Sequence, residues 1–181
     1  MKTSFLFVML LSITIGSSQK INQEIKTEKG LQFLVGPITL EKLQSEPYKD
    51  WFKSSYENYT VDESLIKMMK KSLEKYKIKL FLGTWCGDSK REIPRILKIL
   101  KESKFPMKNL EIIALDRRRG FYKKSPSGEE KGLNIIKVPT LIFFKNNKEV
   151  NRIVESPIAS LEEDMLAILS GKTYIPNYSL K

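Results

Sequence analysis

Trp85-Cys86-Gly87-Asp88-Ser89 contains the only cysteine of the chain. The apolar run Leu80-Phe81-Leu82 precedes it, and Ile93, Ile96, Leu97 and Leu100 follow at helical spacing. The thiol is therefore expected where a strand hands over to a helix. At such a helix start, unpaired N–H groups and the positive end of the macrodipole favour thiolate over thiol. Thiolate is the form that attacks disulfides and peroxides. A cysteine three residues further on would complete a dithiol, but Ser89 stands there. An attacking sulfur is present and a resolving one is lacking. The plain structural alternative is a buried, inert cysteine, which the turn context disfavours.

The rest of the composition narrows the chemistry. There is no histidine among 181 residues, which removes His-based catalysis and a Cys-His dyad. One cysteine without histidine cannot build a sulfur–imidazole zinc site, and no metal or other cofactor is implied. An intramolecular disulfide is impossible, so Cys86 can pair only with another molecule, a second copy of the chain included. Net charge is +11, with basic residues scattered along the chain. The densest group is Arg117-Arg118-Arg119 with Lys123-Lys124, beside Phe121 and Tyr122. A nucleic-acid partner would want a basic stripe. A solvated loop is the simpler expectation, with electrostatic attraction to anionic partners next.

The elements that must hold this turn follow from periodicity and punctuation. Asp62 reads as the N-cap of a helix over Glu63–Tyr76, with Leu65, Ile66, Met69 and Leu73 on one face. A strand follows over Lys77–Gly83. The helix after Cys86 is expected to run to about Lys101, with Pro94 inside it as a kink. Leu110–Leu115 is a second strand, parallel to the first through a right-handed crossover. Residues 116–131 read as a long polar loop, with a helical turn near Glu129–Leu133 as one option. Thr140–Phe144 and Val150–Val154 form antiparallel neighbours around Asn146-Asn147. Ser160 or Pro157 opens a final helix carrying Leu161, Met165, Leu166 and Leu169, and Gly171 stops it.

Residues 1–18 resemble an export signal: Lys2, an apolar run from Phe5 to Ile15, then Gly16-Ser17-Ser18. Cleavage after Ser18 would leave Gln19 first in a secreted or periplasmic chain with no stable membrane anchor. The run is short for a membrane span. Export in turn argues against nucleic acid as a partner. Residues 19–60 form an N-terminal extension, irregular at first or adding an edge strand near Leu31–Val35, then helical in part. Pro47 breaks that part, since it restricts its own φ and biases Glu46 away from helix.

Three features in order resemble the thioredoxin family. Trp85-Cys86-Gly87-Asp88-Ser89 is similar to that family's Trp-Cys-Gly-Pro-Cys turn. Pro94 sits eight residues after Cys86, as the family's kinking proline does. Val138-Pro139-Thr140, followed by apolar residues and Lys-Asn-Asn-Lys, resembles its cis-proline strand and hairpin. The resemblance implies an α/β thioredoxin-like fold over residues 61–171. Its central mixed sheet would be flanked by helices on both faces, with 172–181 as a C-terminal tail. It further implies Cys86 as attacking thiol, with Ser89 donating a hydrogen bond to the sulfur. Trp85, Gly87 and Asp88 would shape the substrate surface. Pro139 would be a cis-proline against the turn, and the Val138 backbone would pair with an extended substrate.

Departures from the family pattern are equally informative. Ser89 replaces the resolving thiol, so a mixed disulfide would await an external one. Asp88 stands in place of proline and opposes a thiolate, while Lys90 and Arg91 act the other way. Leu80 occupies the position of the family's buried acid. The expectation is an exported monothiol protein that engages protein thiols or disulfides, or small-molecule thiols, as a possible thiol-disulfide oxidoreductase. The alternative is a redox-inactive binding or folding-assistance protein using the same groove. A one-cysteine peroxidase fits less well, because Gly83 stands where such enzymes place threonine or serine.

Overall fold

Apolar alternation in the strands and apolar stripes in the helices assemble one mixed sheet and its helical cover. The computed structural model describes residues 20–179; the export segment and its cleavage point lie outside the described residues. In chain order the elements are β1 (Gln23–Lys26), β2 (Gln32–Ile38), α1 (Leu40–Leu43), α2 (Lys49–Glu57) and α3 (Glu63–Leu73). Then come β3 (Lys77–Leu82), α4 (Gly87–Glu102), β4 (Leu110–Ala114), β5 (Thr140–Lys145), β6 (Lys148–Val154) and α5 (Leu161–Leu169). The sheet order is β1-β2-β4-β3-β5-β6. Only β3 and β4 are parallel, joined through α4; every other neighbouring pair is antiparallel.

Local chemistry explains most element ends. The Asp62 carboxylate accepts the Leu65 N–H at 3.0 Å and starts α3, and the Ser160 hydroxyl accepts the Glu163 N–H at 3.1 Å and starts α5. Each satisfies an amide that the first helical turn leaves unpaired. Past α5, Gly171 takes φ +70°, and the Lys172 N–H returns to the Ala167 carbonyl at 3.0 Å. Asn146 and Asn147, at φ +51° and +60°, form the two-residue turn between β5 and β6. α4 runs through Pro94, whose ring is buried. α3 ends at Leu73 rather than Tyr76, which turns inward to pack edge-on to Phe143 at 6.3 Å.

The extension contributes to the sheet itself. β1 and β2 form a hairpin whose second strand pairs Gly36, Pro37 and Ile38 with Ala114, Ile113 and Ile112. Buried Thr84 accepts the Leu34 N–H at 3.1 Å, so this strand also fixes the turn that leads to Cys86. The Glu46–Pro47 bond is cis, as is Val138–Pro139.

Pleating divides the sheet into two faces. Ile78, Leu80 and Leu82 of β3, Ile112 and Ala114 of β4, and Leu141 and Phe143 of β5 share one core cluster. Buried residues of all five helices join it. Phe81, Ile113 and Ile142 point the opposite way and cluster with Leu115, Val138, Trp85, Leu133 and Ile135. Irregular chain between Leu115 and Val138 packs over this second cluster. Its charge, Gly120, Pro126, Gly128 and Gly132 disfavour a helix there, and residues 129–132 form hydrogen-bonded turns.

Candidate functional site

Cys86 is the N-cap residue of α4, in an extended conformation at φ −93° and ψ 129°. Its carbonyl accepts the Lys90 N–H at 3.0 Å, opening the helix. The side chain is partly exposed, so the thiol is neither sealed in the core nor fully in solvent. Its Sγ donates to the Val138 carbonyl at 3.4 Å. The turn and the Val138-Pro139 segment, 52 residues apart in sequence, thus meet at the sulfur.

The surrounding residues divide into support and surface. Ser89 is fully buried, and its hydroxyl accepts the Gly83 N–H at 3.1 Å. The serine ties the helix to the end of the preceding strand; in place of the expected hydrogen bond from serine to sulfur, the sulfur itself donates to the Val138 carbonyl. Trp85 donates Nε1–H to the Leu115 carbonyl at 2.8 Å, and its ring lies against Tyr122 with centroids 5.6 Å apart. A Cβ at Gly83 would come within 2.6 Å of the Trp85 ring. The hydroxyl residue of a peroxidase-type motif therefore has no room while Trp85 stays in place. Gly87 is exposed, and a Cβ there would meet nothing within 4 Å, leaving the surface above the thiol open. Asp88 is paired with Arg91 at 2.9 Å, so its charge beside the sulfur is largely offset.

Of three further contributors, Glu92 and Glu155 have no place in the sequence motifs, and Lys123 enters there only as part of the basic group. Glu92 is buried on α4, held by Arg91 at 2.6 Å and Arg95 at 3.6 Å. With Pro139, Leu141 and Glu155 it lines a cavity of about 10 Å³, at the lower limit for one water molecule. An acid sharing the helical phase of Ile96 and Leu100 was the available signal. Glu155 donates its N–H to the Pro139 carbonyl at 2.7 Å, and its carboxylate accepts from Lys137 at 3.1 Å and from the Tyr178 hydroxyl. Lys123 donates to the Ile136 carbonyl, two residues before Val138. No local pattern signals Glu155 or Lys123, because their relation to Cys86 arises entirely from loop packing. A surface depression of about 490 Å³ along α2 shares no residue with this site. Among the described residues no group of three or more His, Cys, Asp and Glu is placed to hold a metal, and no helix is long and apolar enough to cross a membrane.

Acid should loosen the tail from this site. The Tyr178 hydrogen bond, then Lys137, hold the Glu155 carboxyl below its ordinary 4.5, against burial, which acts the other way. A depressed folded-state value means the tether is complete above that ordinary value and is lost as pH falls through the lowered one. Backbone NMR of Tyr178 against pH is the check. Signals unchanged from neutrality to about pH 2 would refute the coupling.

A thiol at a helix start, facing a cis-proline segment at the strand ends of a mixed sheet, defines a thioredoxin-fold thiol protein. The sequence model of the thioredoxin family matches residues 40–167, and the chain belongs to that family. Among solved structures, a protein of unknown function from Pseudomonas aeruginosa is 17% identical, with TM-score 0.47 over 66% of this chain and 80% of that one. Fasciola hepatica thioredoxin is 21% identical, with TM-score 0.32 over 50% of this chain and 77% of its own. Thioredoxin O2 from Arabidopsis thaliana, in the oxidized state, is 23% identical, with TM-score 0.32 over 51% and 76%. No curated protein matches the chain.

Proposed function

We propose that this is an exported thioredoxin-family protein that exchanges with partner disulfides through Cys86 alone. The observation that carries the reading is the partly exposed Cys86 sulfur at the start of α4, in contact with the Val138 carbonyl. The thiolate attacks a partner disulfide, forms a Cys86–partner disulfide and expels the partner's other sulfur as thiolate. With serine at position 89, an external thiol completes the cycle by attacking that mixed disulfide.

Replacing the missing sulfur tests the reading. Ser89 is buried directly behind the turn, one helical turn from Cys86. Ser89→Cys is expected to reduce insulin disulfides with a dithiol reductant faster than the parent, whose mixed disulfide must wait for the external thiol. No gain in a folded variant would mean that the turn is not arranged for exchange. One observation favours a second reading, a redox-inactive binding protein. Leu80 is fully buried and apolar where the family resemblance places an acid, so the turn lacks that proton acceptor. In that case Cys86→Ser would leave partner binding intact.

A further inference from the structure

Around the thiol two cations stand outside the ion pairs, Lys90 on α4 and Lys123 on the loop that covers the second sheet face. Asp88 is matched by Arg91, Lys137 by Glu155 at 3.1 Å, and Asp116 by Arg118 at 2.7 Å. Lys123 has no carboxylate within 4 Å among the described residues; its ammonium donates to the Ile136 carbonyl and lies 5.0 Å from the Tyr122 ring centroid. Both contacts hold it at the site. Tyr122 packs against Trp85, and Ile136 leads directly into Val138, the acceptor of the Cys86 thiol. Burial and then the neighbouring Lys137 push the Lys123 ammonium below its ordinary 10.5, against the pull of Glu155 and of Cys86.

The surface beyond Lys123 has the same character. Arg117, Arg119 and Lys124 are exposed on the same loop, with no carboxylate within 4 Å among the described residues. Phe121 and Tyr122 expose about half of their surface between these charges, 56% and 54%. Cationic side chains interleaved with exposed rings suit an acidic segment that also carries apolar residues.

From this arrangement we infer that Cys86 selects disulfides flanked by carboxylates, carried on an acidic segment of a partner protein, with Lys123 reading the charge next to the reacting sulfur. The inference rests on the thiol-exchange reading above. Lys123 is a specificity residue: it meets the carboxylate of the partner, while Cys86 does the chemistry.

Three matched cysteine peptides, with Glu, Gln or Lys on both sides of the cysteine, provide the test. Each is activated as its 2-thiopyridyl disulfide. The Cys86 sulfur bonds to the peptide sulfur, the peptide–thiopyridyl bond breaks, and the released 2-thiopyridone retains the proton given up by Cys86. Release is followed by absorbance with the purified protein. The Glu peptide is expected to react about tenfold faster than the Lys peptide at low salt, with Gln between them. The difference should shrink strongly near 1 M salt, where the Debye length is about 3 Å. Lys123→Met should remove most of the discrimination and Lys123→Arg should retain it. Equal rates for all three peptides, or an equal slowing of all three by Lys123→Met, would overturn charge selection while leaving exchange at Cys86 intact. No reaction with any peptide by the folded protein would instead overturn the exchange reading, and the selectivity with it.

Discussion

Cys86→Ser is expected to abolish covalent capture of disulfide partners entirely while leaving the fold unchanged. No second thiol exists to take over, since the chain has one cysteine. The sulfur is partly exposed, and its one polar contact among the described residues is a long S–H bond to the Val138 carbonyl. A serine hydroxyl can donate to the same carbonyl, so the stability change should stay within about 1 kcal/mol. Mass spectrometry of the protein incubated with a disulfide probe gives the first readout, and thermal unfolding the second. An adduct on the serine variant would exclude Cys86 as the reacting group. Collapse of the fold would identify a structural cysteine instead.

The second large effect belongs to the core. Phe143 is fully buried on β5, within the cluster that joins the sheet to all five helices, and its ring meets the edge of Tyr76. Phe143→Ala should cost about 3–5 kcal/mol, combining lost transfer energy with the cavity left behind. That is a large share of a typical total of about 5–15 kcal/mol. A fall in Tm of about 6–20 °C should follow for a chain of this size. Phe121→Ala, at an exposed ring on the basic loop, should by contrast change stability by no more than about 0.5 kcal/mol. Urea unfolding of the pair separates the two cases. A loss below about 1 kcal/mol at Phe143 would contradict close packing at that position.

The balance of charge at the turn illustrates how context alters a residue's effect. Taken along the chain, Asp88 is an acid two residues from the sulfur and an obstacle to thiolate chemistry. In the folded protein Arg91 lies against it, one helical turn on, and also holds buried Glu92. The paired charges leave Lys90, on α4 itself, and Lys123, on a different segment, as cations without an ion pair. Replacing Asp88 alone would remove an acid and leave Arg91 paired with Glu92 only, and its effect would report on both changes.

What could be read from the chain itself was the local part. The helix after Asp62, the strand–turn–helix around Cys86, the Asn146-Asn147 hairpin and the helix after Ser160 depend on caps, turn residues and short apolar periods, which act between residues a few positions apart. The order Trp85-Cys86, Pro94, Val138-Pro139 was enough to point to the family. Tertiary structure decided the rest. β2 joined the sheet because its backbone pairs with β4 nearly eighty residues later. The 116–137 loop covered the second sheet face because Phe81, Ile113 and Ile142 had to be buried by whatever chain could reach them. That packing set Tyr122 on Trp85, Lys123 beside the thiol, and Glu155 against Pro139. Sequence spacing carries no trace of such neighbours, since side chains brought together by burial leave no local period. The partly exposed thiol at a helix start was legible from its own turn, and the loop residues around it came from the fold.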